Sequence, residues 1–398
     1  MTKNNTPKLR FPEFTDEWKE KKFEDLFEFF PTNSFPRSNL NEESGEVQNI
    51  HYGDIHKKFP TLLDFNKVDV PFINEDVNLE KFKEDNYCQD GDLVIADASE
   101  DYEDIGKAIE LANISNRKVL SGLHTFLARD KSNLTTKKYR VYILLNNNVR
   151  LQIKKIATGI SVLGISKTNL GKLKISIPNL EEQRKIANLL TKLDEKISLL
   201  EDRLDFFRDF KKFCMQQLFA EKLRFRQNIC CKWEEKRMKD LLNHSSSNLS
   251  VTALENNFGQ YPLYGATGLI KNIDFYEKKK DYIAIVKDGA GVGRTFYCPA
   301  YSSILGTLQY LINTEGNNLK FIYYLLSSLK FEKYIIGSTI PHIYFKDYSK
   351  KKVNIPCLEE QVQIANFLTN LDKKIDQIVS ELEHINEFKK SLLQQMFV

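Results

Sequence analysis

One stretch of this sequence occurs twice, and that duplication restricts the fold more than any other feature. Residues 177–219 and 355–397 align without a gap at a constant offset of 178, with 22 of 43 positions identical. The copies open alike, as Ile177-Pro178, Leu180-Glu181-Glu182-Gln183 and Ile186-Ala187-Asn188 against Ile355-Pro356, Leu358-Glu359-Glu360-Gln361 and Ile364-Ala365-Asn366. They close alike too, with Phe210-Lys211-Lys212 and Gln216-Gln217 matched by Phe388-Lys389-Lys390 and Gln394-Gln395. An internal repeat of this size decides the architecture before any local reading begins.

Each copy predicts a long helix with a coiled-coil seam. Apolar residues step by 4 and 3 in turn through Ile186, Leu190, Leu193, Ile197, Leu200, Leu204 and Phe207. The second copy runs Ile364, Leu368, Leu371, Ile375, Ile378, Leu382 and Ile385. A mean period of about 3.5 keeps one stripe against a partner helix as the pair supercoils to the left. No Gly or Pro interrupts either stretch. Pro178 and Pro356 stand just ahead, and Glu181-Glu182 and Glu359-Glu360 put negative charge in the electropositive first turn. About 40 residues at ~1.5 Å each make a rod of roughly 60 Å. Lys211 and Lys389 fall on the next seam position of each copy. They either snorkel near a frayed end or make a polar register or partner contact.

A second repeat has a different offset. Trp18-Lys19-Glu20-Lys21-Lys22-Phe23-Glu24-Asp25-Leu26 returns 215 residues later as Trp233-Glu234-Glu235-Lys236-Arg237-Met238-Lys239-Asp240-Leu241. The whole chain is therefore a tandem of tryptophan motif, variable body and long helix, with the first body 37 residues longer. The expected segments are 1–178, 179–222, 223–356 and 357–398, and residues 1–10 read as a loose tail. The bodies read as α+β. Leu93-Val94-Ile95-Ala96 and Tyr282-Ile283-Ala284-Ile285-Val286 are strand candidates, followed by further strands near Thr125-Phe126-Leu127 and Leu308-Gln309-Tyr310. Helices are expected near 137–156 and 319–335.

Composition adds limits. Six cysteines (Cys88, Cys214, Cys230, Cys231, Cys298 and Cys357) form no C-x-x-C pair and read as reduced thiols of a cytoplasmic protein. There is no apolar signal core at the start and no run of 18 apolar residues, so no membrane role is expected. The net charge of +4 says little, but its distribution says more. Lys131 to Leu180 holds ten basic residues and no acid. The matching part of the second body has seven lysines against Glu332 and Asp347, with aromatics between them. Such surfaces suit a phosphate backbone, because each neutralised phosphate releases condensed counterion.

Catalysis by this chain is not expected. The stretch Asp288-Gly289-Ala290-Gly291-Val292-Gly293-Arg294-Thr295 follows a strand but fits neither a P-loop nor a Rossmann fingerprint. It reads as a loop that lets backbone approach a ligand or DNA, or as a plain turn. The first body has Asp97 to Asp104 there, an acidic stretch that is a solvated loop or an acceptor for cytosine amino groups. His51 and His56, with Asp54 between, are a weak metal pattern, and no metal is expected. No Asn-Pro-Pro-aromatic methylation motif or Walker motif occurs.

The repeated Ile-Pro-x-Leu-Glu-Glu-Gln helix, the two variable bodies and the tryptophan motif resemble the specificity subunit of type I restriction-modification systems, over nearly the whole chain. The resemblance implies two target-recognition domains and two helices paired as an antiparallel coiled coil. Each domain would read one half of a bipartite site on double-stranded DNA. It implies docking of two methyltransferase subunits, which bring S-adenosylmethionine, and of two restriction subunits that use ATP and Mg2+. This chain itself would carry no cofactor. The residues expected to contact DNA are Lys107, Lys154, Lys155 and Lys167 in the first body and Arg294, His342, Lys346 and Lys350 in the second. The implied seam and docking positions are Ile186, Leu190, Leu193, Ile197, Leu204, Ile364, Leu368, Leu371, Ile375 and Leu382. A rod of ~60 Å spans one to two turns of duplex at ~34–36 Å each. The competing reading is a scaffold unrelated to DNA, whose coiled coil joins two binding modules. A stand-alone enzyme is a third.

Overall fold

The structure, a computed structural model, describes residues 5–225 and 232–398. Cys230 and Cys231 lie outside the described residues. By contacts the chain divides into two units, Met1–Glu201 with Glu381–Val398, and Asp202–Ser380. Each long helix therefore contributes to both.

The long helices run Leu180–Phe219 and Leu358–Gln395, as the periodicity predicts. In the first unit the start of the first helix lies against the end of the second. Ile186 and Leu190 share one core with Leu392, Met396 and Phe397, and Lys196 pairs with Glu381 at 2.8 Å. In the second unit Leu218 shares a core with Ile364, Leu368 and Leu371. The helices are antiparallel in both places. Each buried leucine or isoleucine contributes about 1.5–3 kcal/mol, so the apolar stripe accounts for the pairing. The seam lysines do not snorkel. Lys211 pairs with Asp372, and Lys389 with Asp194, each across to the other long helix.

The first body is built on a five-stranded sheet. Its order is Phe27–Phe30, Thr125–Asp130, Leu93–Ala96, Ala108–Ala112 and Leu62–Asp64, with only the last pair parallel. A four-stranded sheet of Lys118–Ser121, Val47–Ile50, Phe72–Ile73 and Leu40–Asn41 stands beside it. The second body repeats the plan with less material. Its four-stranded antiparallel sheet runs Leu242–Ser246, Leu308–Asn313, Tyr282–Val286 and Thr295–Cys298, with a three-stranded sheet of Gly268–Ile273, Tyr261–Gly265 and Ser303–Ile304. The extra 37 residues of the first body thus enlarge the sheets without altering the helices.

Each body closes on itself at the foot of its helix. Strand Lys19–Lys22 pairs with Lys174–Ile177, and Glu234–Arg237 pairs with Lys352–Ile355, in the same register. This is how two repeats with different offsets coexist. The Leu-Glu-Glu-Gln motif then fastens the joint. Glu182 is fully buried and accepts from Arg10 at 2.7 and 2.8 Å and from the Trp18 indole at 3.4 Å. Glu360 is its counterpart, holding Arg224 at 3.1 and 2.6 Å and the Trp233 indole at 3.2 Å. Gln183 accepts from Thr136 N and donates to Leu134 O and Pro178 O. Gln361 accepts from Asn318 N and donates to Pro356 O.

Three expectations need correction. Residues 5–10 are not loose: Trp18 N donates to Asn5 O, Leu9 N donates to Gln395 O, and Arg10 is the partner of Glu182. The helix expected over 137–156 is two, Arg140–Leu145 and Asn147–Ile156, because the Asn146 side chain caps a new start by accepting from Val149 N. The helix expected over 319–335 ends at Ser328, followed by a short 3-10 turn, Glu332–Tyr334. Among the described residues no helix is long and apolar enough to cross a membrane.

Candidate nucleic-acid interface

In both units the central strand runs into a loop, and a later turn folds down beside that loop. In the first unit the loop spans 97–107. Thr158 and Gly164 exchange backbone hydrogen bonds of 2.9 and 2.7 Å, and Ile165 N donates to Asp97 O at 2.9 Å. In the second the loop spans 287–294. Ile336 and His342 exchange bonds of 2.9 and 2.8 Å, and Gly289 N donates to Pro341 O at 2.9 Å. The turns share a glycine at positive φ, Gly159 at 129° and Gly337 at 88°. A Cβ would lie 2.0 Å from Val162 O in one and 2.5 Å from Ile340 O in the other, so only glycine closes them. Each turn projects an exposed aliphatic tip, Ile160 and Ile340.

The two rims differ in chemistry. The first is a cluster of histidine, tyrosine and carboxylate. His124 lies 3.2 Å from Asp97, whose carboxyl is pushed up by burial against the pull of His124. Tyr52 packs edge-on to both His124 and His56, at 5.2 and 6.1 Å between ring centroids. Burial also pushes the His51 imidazole below its ordinary value, and its Nδ1 accepts from Gly53 N. Such a rim offers both donors and acceptors to base edges. The second rim is rich in glycine, with Lys287 and Asp288 3.8 Å apart at its start. Gly289, Gly291 and Gly293 stand at φ of 84°, 87° and 88° in the turn that links Tyr282–Val286 to Thr295–Cys298. Beside them Arg294 is exposed, donating to Ala266 O at 3.1 Å.

Most of the residues proposed for DNA contact fall near these rims, in different states. Lys107 donates to His56 O at 2.9 Å and lies 3.9 Å from Asp104. Lys154 pairs with Glu103 at 2.5 Å. The acidic loop therefore holds two of the four first-body cations. Lys167 is exposed, with its ammonium 5.9 and 5.6 Å from the ring centroids of Phe29 and Phe126. His342 lies in the second turn, its ring 5.0 Å from Tyr344, and the Lys346 ammonium is 5.1 Å from that same ring. Lys155 is exposed at the end of Asn147–Ile156, and Lys350 is exposed in the bend before Lys352–Ile355. Among the described residues neither makes a contact that draws it onto a rim. Asp97 belongs to the acidic stretch that the sequence offered as an acceptor for base amino groups; what the sequence reading did not propose are Tyr52 and His124, which join it from two other segments, and the tips Ile160 and Ile340. The tips could have been found from their matched glycine-bounded stretches, Gly159 to Ile165 and Gly337 to Ile343.

Comparison with known proteins gives a consistent picture. The family described as type I restriction modification DNA specificity domain matches residues 15–205 and 231–387. A chain described as the MjaX specificity subunit of a type I restriction enzyme, from Methanocaldococcus jannaschii, is 24% identical over 421 residues, covering 98% of this chain and 95% of its own. The crystal structure of a type I restriction-modification S subunit from M. genitalium superposes with a TM-score of 0.67 at 18% identity, covering 99% of each chain. A structure described under complex assembly and conformational transition of the type I system aligns with a TM-score of 0.51 at 14% identity, over 96% of this chain and 97% of its own.

Proposed function

This chain belongs to the type I restriction modification DNA specificity family, and from that premise we propose that it reads a bipartite, asymmetric site on double-stranded DNA, one half with each body. The observation that carries this reading is the contrast between joints and rims. Both bodies are fastened to the long helices by the same buried Glu, Gln and Trp contacts. Their rims carry different side chains on the same backbone plan. A duplicated chassis with unlike reading surfaces suits two unlike half-sites. The bodies within 1–178 and 223–356 are the readers, and 179–222 and 357–398 form the spacer. Lys155, Lys167, Lys346 and Lys350 position on phosphate, while Arg294, His342 and the His124–Asp97 pair face base edges. Lys107 and Lys154 act once their acidic partners are displaced or shared.

The long helices seat two methyltransferase subunits, one on each copy, and these in turn admit two restriction subunits. Phe210 and Phe388, exposed at the same position of each copy, are candidate anchors for identical partners. S-adenosylmethionine, ATP and Mg2+ belong to those partners, and the chain works in the cytoplasm without chemistry of its own. The test is to co-express the chain with its methyltransferase and map modified adenines across a genome. The expected result is one split sequence with a fixed gap. Exchanging residues 233–356 for another body should change one half only. Methylation without a split motif, or a change in both halves, would overturn the reading.

A further inference from the structure

We propose that Asp194 and Asp372 are positioning residues for DNA reading, each fixing the heading of its recognition body on the helix pair and so the gap length the protein accepts. The proposal rests on the DNA-reading function given above. Its basis is one carboxylate that holds three elements at once. In the first unit the Tyr142 hydroxyl, on helix Arg140–Leu145 of the body, donates to Asp194 Oδ2 at 2.7 Å. The other oxygen, Oδ1, receives the Lys389 ammonium from the second long helix. In the second unit Tyr324, on helix Leu319–Ser328, donates to Asp372 Oδ2 at 2.6 Å, and Oδ1 receives Lys211 from the first long helix. Thr191 and Thr369, one turn earlier, stand 3.4 and 3.2 Å from the same tyrosine hydroxyls.

The arrangement is repeated atom for atom although the bodies around it differ. Neither cluster is a surface ion pair: side-chain exposure is 22% and 32% for the aspartates and 16% and 21% for the lysines. Burial, helped by the aspartate, raises both tyrosines, which keeps each hydroxyl a donor. Placing a charged cluster on an apolar seam sacrifices desolvation energy that leucine would not, and what such clusters supply instead is register. Here register and body orientation pass through the same two oxygens. Sliding one helix by a turn moves it ~5.4 Å, which exceeds the ~3.4 Å step between base pairs. A lock at this point therefore acts on the scale of one base pair of gap.

The experiment uses the full chain co-purified with its methyltransferase and competes the native site against sites whose gap is one base pair shorter or longer. Wild-type complex should discriminate by about tenfold or more, on the scale of a mismatch, and Asp194→Asn or Asp372→Asn should reduce this to about threefold or less. Preferences within each half-site should persist, which a general loss of structure would not allow. Tyr142→Phe keeps the ring packing and removes only the hydroxyl's bonds to Asp194 and Thr191, so it should widen gap tolerance with no loss of thermal stability beyond that of those two hydrogen bonds. Unchanged gap profiles in variants that still read both halves would overturn this proposal alone. A wild-type complex with no split-site preference would overturn the DNA-reading function and this proposal with it.

Discussion

The two units are alike at their joints and unlike at their rims. Glu182 and Glu360 hold the same tryptophan and arginine pair, and Phe397 and Phe219 pack on Tyr139 and Phe321 in the same places. The loops at the rims share only backbone shape. One holds His124 against Asp97 and ties up Lys107 and Lys154, while the other carries three glycines at positive φ beside an exposed Arg294. The position of Glu110, opposite Leu93, is taken in the second unit by Tyr297, opposite Ile283. The joint must satisfy one geometry, set by a repeated helix. The rim must satisfy whatever it meets, and nothing requires the two to meet the same thing.

The sharpest way to break this comparison is at the joints. Glu182→Ala and Glu360→Ala each remove a buried acceptor from a cation and an indole, and each should destabilise by about 3–5 kcal/mol in denaturant titrations. Unequal losses would mean that the joints are not equivalent. A difference in pH response should separate the units next. Burial pushes the Glu110 carboxyl up to about 7 from an ordinary 4.5, against hydrogen bonds from Lys138 N and Val141 N. The folded first unit then holds that proton more tightly than the unfolded chain. Its stabilising contribution is full below pH ~4.5 and is lost as pH rises through about 7, a loss of about 3 kcal/mol. Glu110→Gln should remove this slope, read from the stability difference between wild type and variant at pH 5 and pH 8.

At the rims the expected effects are smaller and fall on binding. Arg294→Ala should weaken DNA binding by about 2 kcal/mol and relax preference in one half-site only. Lys167→Ala should weaken all sequences alike and lower the salt slope by about 1, measured by titration at several salt concentrations. The smallest effect is expected at Gly289, where an added Cβ meets nothing within 4 Å and only the φ of 84° opposes it. Gly289→Ala should cost about 1 kcal/mol in thermal unfolding, and Gly293→Ala more, since its Cβ would lie 2.9 Å from Phe331 Cβ.

How much of this was legible beforehand follows from the range of each interaction. The seam, the long helices and strands 93–96 and 282–286 are written in local periodicity, and the structure has them where the pattern falls. The joints were visible as text but not as chemistry. Glu181 and Glu182 look alike as charges at a helix start, yet Glu181 is exposed and Glu182 meets Arg10 from 172 residues away. The acid-free run from Lys131 to Leu180 misleads for the same reason. Its partners come from elsewhere in the chain: Asp130 for Arg140, Glu103 for Lys154 and Glu20 for Lys174. The first rim assembles Tyr52, Asp97 and His124 across three segments, and no spacing rule connects them. Lys211 and Lys389 were conspicuous on the seam, but the direction of the partner helix was needed to find Asp372 and Asp194.

The short ribbons that seal each body, Lys19–Lys22 with Lys174–Ile177 and Glu234–Arg237 with Lys352–Ile355, bring both ends of a body to one spot. Whatever is spliced between those ends leaves the frame untouched, as the unequal lengths of the two inserts already demonstrate. Under the function proposed above, exchanging a cassette should change the target while the helix pair offered to partner subunits stays the same.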